Sequence, residues 1–418
     1  MGQGSVPVDS YKNADLIIFN TCSVRQHAED RVWGKMGELK RLRKRGTPLG
    51  VCPFGDRPIF GLVGCMAKAY GKDVFKRLPH IDFVCGPANI YDIPDIVEKV
   101  KKGERHIVAI DKESRPVRVC GRDYLQYDTK ASVNISQGCN NFCSYCIVPY
   151  LRGREVHRPY KLIIDEIKGL VDKGIKEVVL LGQNVNSYND NGVDFPKLLQ
   201  KVNNVPGLLR IGFMTSHPKD ANEELFEAMA GLDKVCEHLH LPMQCGSDRI
   251  LKMMNRNYTA SHYLKLVELF RKIIPTSSIT TDIIVGFPGE AEEDFKKTYS
   301  LMKRIEFNSA FIFKYSQRPF TKALSFEDDV LNEDKQARNQ ILLNLQSGIS
   351  KKKNNEFINT VQEALAISSA MKDPSSQIKA MTRLNQRVVF IGGKELIGKL
   401  IRVKITGVKV QTLLGEIV

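Results

Sequence analysis

The apolar and polar residues follow three successive patterns along the chain. In the first, short runs of β-branched and aromatic residues at 15–21 (DLIIFNT), Ile59–Val63 and Ile81–Cys85 alternate with helical patterns, of which Val24–Arg45 is the clearest. Strand, cysteine and helix recur in this order. The pattern predicts a small parallel α/β domain at residues 1–115, with loops at the carboxyl ends of its strands.

A longer repeat follows a charged connector at Glu98–Lys130. Its apolar runs end near Gln137, Gln183, Ser216, Gln244, Gly286 and Ser316. Amphipathic helices are predicted between them at Leu162–Lys173, Phe195–Val202, Asn222–Ala230, Ser261–Ile274 and Ala291–Ile305. Six strands with intervening helices describe a partial (β/α)6 barrel at residues 128–350, in which right-handed crossovers bring every strand's carboxyl end to one rim. The polar helical stretch Glu333–Asn355 is predicted to be a linker.

The third pattern, from Glu356 onward, is all-β. The runs TVQEALAI, QRVVFIGG, GKLIRVKITGV and LLGEIV alternate in polarity and are separated by Gly, Ser and Asn, whereas Ser368–Lys379 departs from this pattern and is predicted to be a loop. A five-stranded barrel of about 60 residues fits residues 356–418, and barrels of this size often bind oligonucleotides. The fold class predicted for the whole chain is therefore α/β multidomain.

Length and composition indicate the number of domains and the cellular compartment. The 418 residues are too many for one ordinary core, and no apolar run is long enough to span a membrane. The start, MGQGSVPVDS, lacks the apolar core of a signal peptide, so we expect a soluble cytoplasmic protein. Ten cysteines, three of them in one tight group, favour a reducing compartment in which thiolates serve as ligands.

The chain is strongly basic, with a formal net charge of +15. Its last 68 residues, Lys351–Val418, carry 12 Lys/Arg and 5 Asp/Glu. Such a surplus attracts polyanions such as nucleic acid. Charge alone does not distinguish a solvated basic face from an RNA-binding face.

The three grouped cysteines are Cys139, Cys143 and Cys146, in the pattern C-x3-C-x2-C. An odd number of cysteines cannot pair internally, and three thiolates fall short of a structural zinc site. Three soft thiolates on a four-iron cube leave one iron open to bind and reduce a small molecule. The alternative is that the three cysteines pack as small apolar residues.

This spacing is that of the radical S-adenosylmethionine (SAM) enzymes, and Tyr145 supplies the aromatic residue that they place before the third cysteine. From residue 10 to Val418 the chain resembles one branch, the methylthiotransferases. The motifs that carry the resemblance are CNNFCSYCIVPYLRGRE from Cys139, NTCSVR from Asn20, GQNVNSY from Gly182 and TSHP from Thr215. The resemblance implies that Cys139, Cys143 and Cys146 are catalytic and hold a 4Fe-4S cluster that cleaves SAM to a 5′-deoxyadenosyl radical.

Polar motifs at the predicted rim suit a bound SAM, whose amino, carboxylate and ribose groups need both donors and acceptors. By resemblance, the SAM contacts are expected at Gln183, Asn184, Ser216, Gln244 and Asp282, with Tyr145 near the adenine. A loop cap or turn role is about as probable for each single residue. His217 and His240 stand alone in sequence and are expected to be structural, and Cys236 and Cys245 are expected to be core or rim thiols.

The resemblance also implies an auxiliary 4Fe-4S cluster in the first domain. Cys22 and Cys65 match the second and third of its cysteines. The first normally lies in an opening strand-loop that this chain lacks, which we interpret as truncation or a misassigned start. Cys52 and Cys85 are possible substitutes, although buried or unligated thiols describe both better, so the third ligand of this cluster stays open.

The C-terminal pattern resembles the TRAM domain, a small RNA-binding barrel. Its phosphate contacts are expected at Lys394, Lys399, Arg402, Lys404 and Lys409. Before it, KYSQRPFTKA (314–323) resembles the family's YS-x-R-P-G-T-x-A, with Phe320 in place of the usual Gly and Lys322 where Pro is common. We therefore expect a different local turn.

The family inserts a methylthio group into an unactivated C–H bond, with one SAM as methyl donor and one as radical source. The motifs, including MNRNYT from Met254, are most similar to the branch that modifies C2 of N6-isopentenyladenosine next to the anticodon. Relatives modify threonylcarbamoyladenosine or a ribosomal-protein aspartate, and an RNA-binding protein with lost or merely SAM-cleaving activity is a further alternative. The expected partners are a tRNA anticodon stem-loop and external electron and sulfur donors, with the enzyme as a monomer.

Overall fold

The computed structural model describes residues 6–23, 26–40, 58–111, 129–369, 377–409 and 411–418. It divides into two compact units. The first unit comprises Met1–Pro116, Gly138–Glu155 and Ser316–Leu324, and the second comprises Val117–Gln137, Val156–Tyr315 and Ser325–Val418.

The first unit is built on a parallel sheet, as predicted. Its strands pair in the order β1 (Leu16–Thr21), β2 (Ile59–Gly64), β3 (Phe83–Cys85) and β4 (Ile107–Ala109). Its helices are α1 (Gln26–Leu39), α2 (Cys65–Tyr70), α3 (Asp73–Arg77), α4 (Ile93–Lys101) and α5 (Val148–Arg152). The described part of the predicted helix Val24–Arg45 is residues 26–40, and α1 covers almost all of it.

Strand β2 is the centre of this unit because both of its faces are covered. Phe60 and Leu62 pack into one cluster with Trp33 of α1, while Ile59 and Val63 pack into another on the opposite face. Successive side chains of a strand point to opposite faces, so a continuous apolar run is what a doubly covered parallel strand requires.

The second unit begins with a partial β/α barrel. The strands in this part of the chain are β5 (Lys130–Asn134), β6 (Ser136–Gln137), β7 (Val156–His157), β8 (Glu177–Leu181), β9 (Asn189–Asp190), β10 (Val193–Asp194), β11 (Arg210–Met214), β12 (His238–His240), β13 (Ser278–Val285) and β14 (Ser309–Lys314). The pairs β6–β7 and β9–β10 form separate two-stranded sheets, and the other six strands form the barrel. The parallel ladders β5–β8–β11 and β12–β13–β14 are joined by a parallel bridge between Ile211 and Val235. The prediction of six parallel barrel strands is confirmed.

Helices α6 (Tyr160–Asp172), α7 (Phe195–Asn203), α8 (Glu223–Gly231), α10 (Ala260–Ile273) and α11 (Glu292–Ile305) follow the predicted ranges closely, and α9 (Asp248–Met253) was not predicted. Side-chain N-caps explain why the first residues of several helices could be predicted from the sequence. Asn222 Oδ1 accepts from Leu225 N at 3.0 Å, and Thr259 Oγ1 accepts from His262 N at 3.1 Å. Each satisfies an amide that has no partner inside its helix.

The chain then continues through α12 (Asn332–Asn355) into the C-terminal barrel. Its strands are β15 (Val361–Ser369), β16 (Gln377–Thr382), β17 (Arg387–Ile391), β18 (Leu400–Lys409) and β19 (Thr412–Ile417), closed in the order β15-β16-β17-β19-β18. The predicted loop at Ser368–Lys379 is wrong at both ends, since Ser368 pairs with Lys379 across β15 and β16. Ile378 and Ala380 are buried on alternate positions of β16, but this short strand directly follows the turn-forming sequence KDPSS, which favours a loop.

Two arginines connect the two barrels of the second unit. Arg210 is fully buried and donates to the carbonyl oxygens of Met381 and Glu363, at 2.5 and 3.1 Å. Arg383 forms an ion pair with Glu237 at 2.6 Å. None of the described helices is long and apolar enough to cross a lipid bilayer.

Candidate active site

Two glycines close the base of the three-cysteine loop. The Cys139 amide donates to the Gly153 carbonyl oxygen at 3.2 Å. Gly138 has a φ of +80°, and a Cβ there would lie 2.1 Å from the Arg154 carbonyl oxygen. Only glycine therefore fits position 138, for both conformational and steric reasons.

Inside the loop the chain turns tightly. The Cys146 amide donates to the Cys143 carbonyl oxygen at 2.9 Å, and Phe142 takes a left-handed φ of 45°. The Arg154 guanidinium lies over the Phe142 ring, 5.2 Å from its centroid. These contacts hold a short loop that carries three thiols within eight residues.

The thiols of this loop are largely shielded from water. Cys139 and Cys143 are buried and Cys146 is half-buried. Burial raises the pKa of the Cys139 thiol, and the charge of the nearby Cys143 raises it further, against hydrogen bonds from Asn141 that lower it. Among the described residues no three His, Cys, Asp or Glu side chains converge closely enough to hold a metal ion.

Cys22 and Cys65 emerge at the same end of the sheet of the first unit. Each directly follows a residue of one register pair, Thr21 opposite Gly64, on the neighbouring strands β1 and β2. Cys22 is exposed, whereas Cys65 is buried against Ile147 and Leu151. The strand–cysteine pattern thus brings together two cysteines that are 43 positions apart in the sequence.

Cys85 is a packing residue in this structure. It is fully buried at the end of β3, opposite Val63, and its thiol donates to the Asn89 carbonyl oxygen at 3.1 Å. This agrees with the interpretation of Cys85 as a buried thiol. Cys52 lies outside the described residues.

Polar residues lie at or beyond the ends of β8, β11 and β12, and Asp282 lies within the neighbouring strand β13. We call this edge of the partial barrel the rim (residues 182–188, 215–218, 240–247 and 282). Backbone hydrogen bonds link these segments from one strand to the next. Val185 N donates to Thr215 O at 3.0 Å, Ser216 N to His240 O at 3.4 Å and Gln244 N to Asp282 O at 2.8 Å. The structure therefore brings Asn184, Ser216, Gln244 and Asp282 to one edge, with the half-buried Gln183 beside Asn184.

Three of these side chains present buried polar atoms that have no hydrogen-bond partner in the described part of the chain. They are Asn184 Oδ1, Ser216 Oγ and Gln244 Oε1. The residues are 2%, 4% and 7% exposed, so water is largely excluded. Because unsatisfied buried polar atoms are costly and rare, their grouping at one edge fits a polar ligand such as SAM.

The backbone at the rim is also unusual. Thr215 and Gln244 have positive φ values of 76° and 65°. Such conformations cost about 1–3 kcal/mol each in side chains of this kind and concentrate at ligand sites. Tyr145 is half-buried within the cysteine loop and belongs to the first unit.

Two rim contacts were missed by the sequence analysis. Asn184 Nδ2 donates to Asp220 Oδ2 at 2.6 Å, which fixes the direction of the Asn184 amide. Asn186 holds the backbone of His217, since its Oδ1 accepts from His217 N at 2.9 Å. Neither Asp220 nor Asn186 stands in a spacing that signals a partner 31–36 residues away.

The two rim histidines have different surroundings. Burial lowers the pKa of His217 to about 2, so its imidazole is neutral, and its Nε2 has no partner among the described residues. His240 Nδ1 lies 2.9 Å from Thr280 Oγ1, and its Nε2 lies 3.5 Å from Asp282 Oδ2. His240 thus contacts Thr280 and Asp282, whereas His217 Nε2 adds a fourth unsatisfied polar atom to the rim in the described part of the chain.

Cys236 and Cys245 are buried outside both cysteine groups. Burial raises the pKa of each thiol to about 12, and Cys245 Sγ lies 3.3 Å from Thr298 Oγ1. Both are therefore core thiols in this structure.

Two protein-family models match this chain. A model of the radical SAM superfamily matches residues 133–302, and a model described as uncharacterized protein family UPF0004 matches residues 1–86. A tRNA-2-methylthio-N(6)-dimethylallyladenosine synthase from Thermoanaerobacter sp. (strain X514) is 45% identical over 98% of this chain and 86% of its own length. The chain belongs to the methylthiotransferase family of radical SAM proteins.

A second such synthase, from Clostridium novyi (strain NT), is 45% identical over 100% of this chain and 91% of its own length. Among solved structures, the radical SAM methyltransferase TsrM from Kitasatospora setae, with cobalamin and a [4Fe-4S] cluster bound, has a TM-score of 0.54 at 15% identity. That match covers 74% of this chain and 66% of the other. At this identity the likeness concerns the fold alone. The family's cofactors are 4Fe-4S clusters and SAM.

Proposed function

We propose that this methylthiotransferase adds a methylthio group to C2 of N6-isopentenyladenosine next to the anticodon of tRNA. The observation that carries the proposal is the identity of 45% over 98% of the chain with a relative named for the dimethylallyladenosine product. Neither relative described above is named for threonylcarbamoyladenosine or for a ribosomal protein. A tRNA substrate also fits a cytoplasmic enzyme.

Cys139, Cys143 and Cys146 are proposed to hold the catalytic 4Fe-4S cluster. Three soft thiolates suit iron and leave one iron site open, and the bound cluster supplies the electron that cleaves SAM. Gly138 and Gly153 close the base of the loop that carries the three thiols.

The rim residues are proposed to hold SAM. Asn184 Oδ1 and Gln244 Oε1 offer buried acceptors for the amino or ribose groups, and Ser216 Oγ offers a donor for the carboxylate. Gln183 and Asp282 extend the same edge, and Tyr145 is assigned to the adenine. Burial of these contacts excludes water from a site that must contain a radical.

Cys22 and Cys65 are proposed as ligands of the auxiliary cluster. Their adjacent strand ends supply two thiols at one end of the sheet, one of them exposed and accessible to an external sulfur donor. An external electron donor serves the catalytic cluster. The enzyme is proposed to act as a monomer.

The C-terminal barrel is proposed to bind the anticodon stem-loop. On β18, the exposed Arg402 and Lys404 alternate with the buried Val403 and Ile405, so both cations point outward from one face. Lys394, Lys399 and Lys409 are exposed as well. Phosphate contacts by these residues give affinity, and extrusion of the unpaired target base gives access to the rim.

The direct test is SAM cleavage by the anaerobically reconstituted protein. Cys143→Ala should abolish 5′-deoxyadenosine formation, and Cys236→Ala, a buried thiol outside the loop, should leave it intact. Persistent cleavage in Cys143→Ala would overturn the ligand assignment.

A further inference from the structure

A buried ion network lies within the first unit, outside the cofactor residues named above. Arg318 is 5% exposed, and its Nη1 donates to Gln26 Oε1 at 2.9 Å and to Glu29 Oε2 at 3.1 Å. Both acceptors lie in the first turn of α1, the helix that follows Cys22.

The same carboxylate also contacts α2. Tyr70 OH donates to Glu29 Oε2 at 2.8 Å, and Tyr70 ends α2, the helix that begins at Cys65. Glu29 therefore ties together the two helices that follow Cys22 and Cys65, and Arg318 neutralises its buried charge.

The segment that carries Arg318 also contacts the cysteine loop. Thr321 Oγ1 donates to the Arg318 carbonyl oxygen at 2.8 Å, which closes a turn, and the Ala323 amide donates to the Ser144 carbonyl oxygen at 2.7 Å. Ser144 lies between Cys143 and Cys146. Residues 318–323 thus contact the loop at one end and, through the network, the helices α1 and α2 that follow Cys22 and Cys65 at the other.

A buried ion pair is weak evidence for stability, because desolvation of two charges offsets most of their attraction. It does fix geometry, since a guanidinium presents its donors in a rigid plane. We propose that Arg318 is a positioning residue that holds the radical cysteine loop in register with Cys22 and Cys65, so that sulfur insertion follows SAM cleavage. This inference rests on the proposed function.

The first readout needs no cofactor. Hydrogen–deuterium exchange of the apoprotein is compared for the wild type, Arg318→Met, Arg318→Lys and a control, Arg383→Met, which breaks the Arg383–Glu237 pair of the second unit. Arg318→Met should speed exchange about tenfold or more in peptides that cover 26–39 and 139–153, because it removes the positively charged partner of the buried Glu29 carboxylate. The control should leave these peptides unchanged.

The second readout is the ratio of methylthio product to 5′-deoxyadenosine in the reconstituted enzyme. Arg318→Met should lower this ratio by about tenfold or more, with SAM cleavage retained, since small misplacements of reacting groups cost large factors in rate. Arg318→Lys keeps the charge without the planar fork and should give an intermediate ratio.

A parallel loss of cleavage and product in Arg318→Met, or faster exchange throughout the described chain, would overturn the inference in favour of a merely structural role. If Arg318→Met does not fold, Arg318→Lys decides by the same two readouts. A wild-type protein that cleaves SAM without forming methylthio product would overturn the proposed function, and local exchange would still decide whether Arg318 holds the loop.

Discussion

Gly138 and Arg154 approach so closely that a Cβ atom on the glycine would lie 2.1 Å from the arginine's carbonyl oxygen. This approach closes the loop that carries Cys139, Cys143 and Cys146. The geometry of the candidate cluster site therefore depends on a residue that offers no ligand.

Gly138→Ala should prevent loop closure, and the reconstituted protein should lose about four irons per chain, the content of one cubane cluster. Gly169→Ala is the matched control, because position 169 is helical and has open space around it among the described residues. The control should keep its iron and fold at least as stably. Full iron content in Gly138→Ala would contradict the role of the glycine.

Phe320→Gly should stabilise the protein. Phe320 takes a left-handed φ of 67° in the segment 314–323, a conformation that costs a phenylalanine more than a glycine. The backbone at Phe320 is therefore strained. Its side chain is 56% exposed and contributes little burial. Relief of the strain should add about 1 kcal/mol to the free energy of unfolding, measured by denaturant titration.

Phe320→Ala is the control for that change, since alanine removes the ring and keeps the strain. It should show no comparable gain. Equal stability of the Gly and Ala variants would show that backbone conformation does not limit this turn.

Acid should destabilise the fold through two buried histidines. Burial lowers the pKa of His217 to about 2 and of His238 to about 3, both from an ordinary 6.5. The unfolded chain therefore takes up protons first as pH falls below 6.5, and stability that is present above this pH is lost toward pH 3. Each histidine contributes a slope of up to about 1.4 kcal/mol per pH unit.

His238→Gln should accordingly give a shallower fall of the unfolding free energy between pH 6.5 and 4 than the wild type shows. The measurement is denaturant unfolding at several pH values. Parallel pH profiles for the variant and the wild type would refute this origin of acid sensitivity.

Arg402→Gln and Lys404→Gln should each weaken tRNA binding and make it less dependent on salt. The slope of log affinity against log salt concentration should fall by just under one for each phosphate that the side chain neutralises. SAM cleavage without tRNA should be unaffected. Lys296→Gln, an exposed cation on α11, is the charge-matched control and should bind as the wild type does. If the slope of log affinity against log salt concentration is the same in all three variants as in the wild type, Arg402 and Lys404 of the C-terminal barrel do not bind tRNA phosphates.

Much of this architecture could be predicted from the sequence because local chemistry specifies it. Caps such as Asn222 and Thr259 mark helix starts, and the apolar runs before Gln183 and Ser216 mark buried strands. Strand β16 escaped prediction because it is short and directly follows the turn-forming sequence KDPSS.

The site itself was only partly predictable. The cysteine spacing and the rim motifs are local patterns, whereas the contact of Arg318 with Glu29 joins residues 289 positions apart. The unsatisfied Nε2 of His217 depends on burial by distant segments. No spacing rule along the chain encodes either feature.

Mass spectrometry of nucleosides shows whether this protein inserts the methylthio group. The substrate is tRNA that carries N6-isopentenyladenosine, incubated with the reconstituted protein, SAM, a reductant and a sulfur donor. We expect conversion of that nucleoside to its 2-methylthio derivative by the wild type, and no conversion by Cys143→Ala. Unmodified isopentenyladenosine in the presence of sustained 5′-deoxyadenosine formation by the wild type would contradict this expectation.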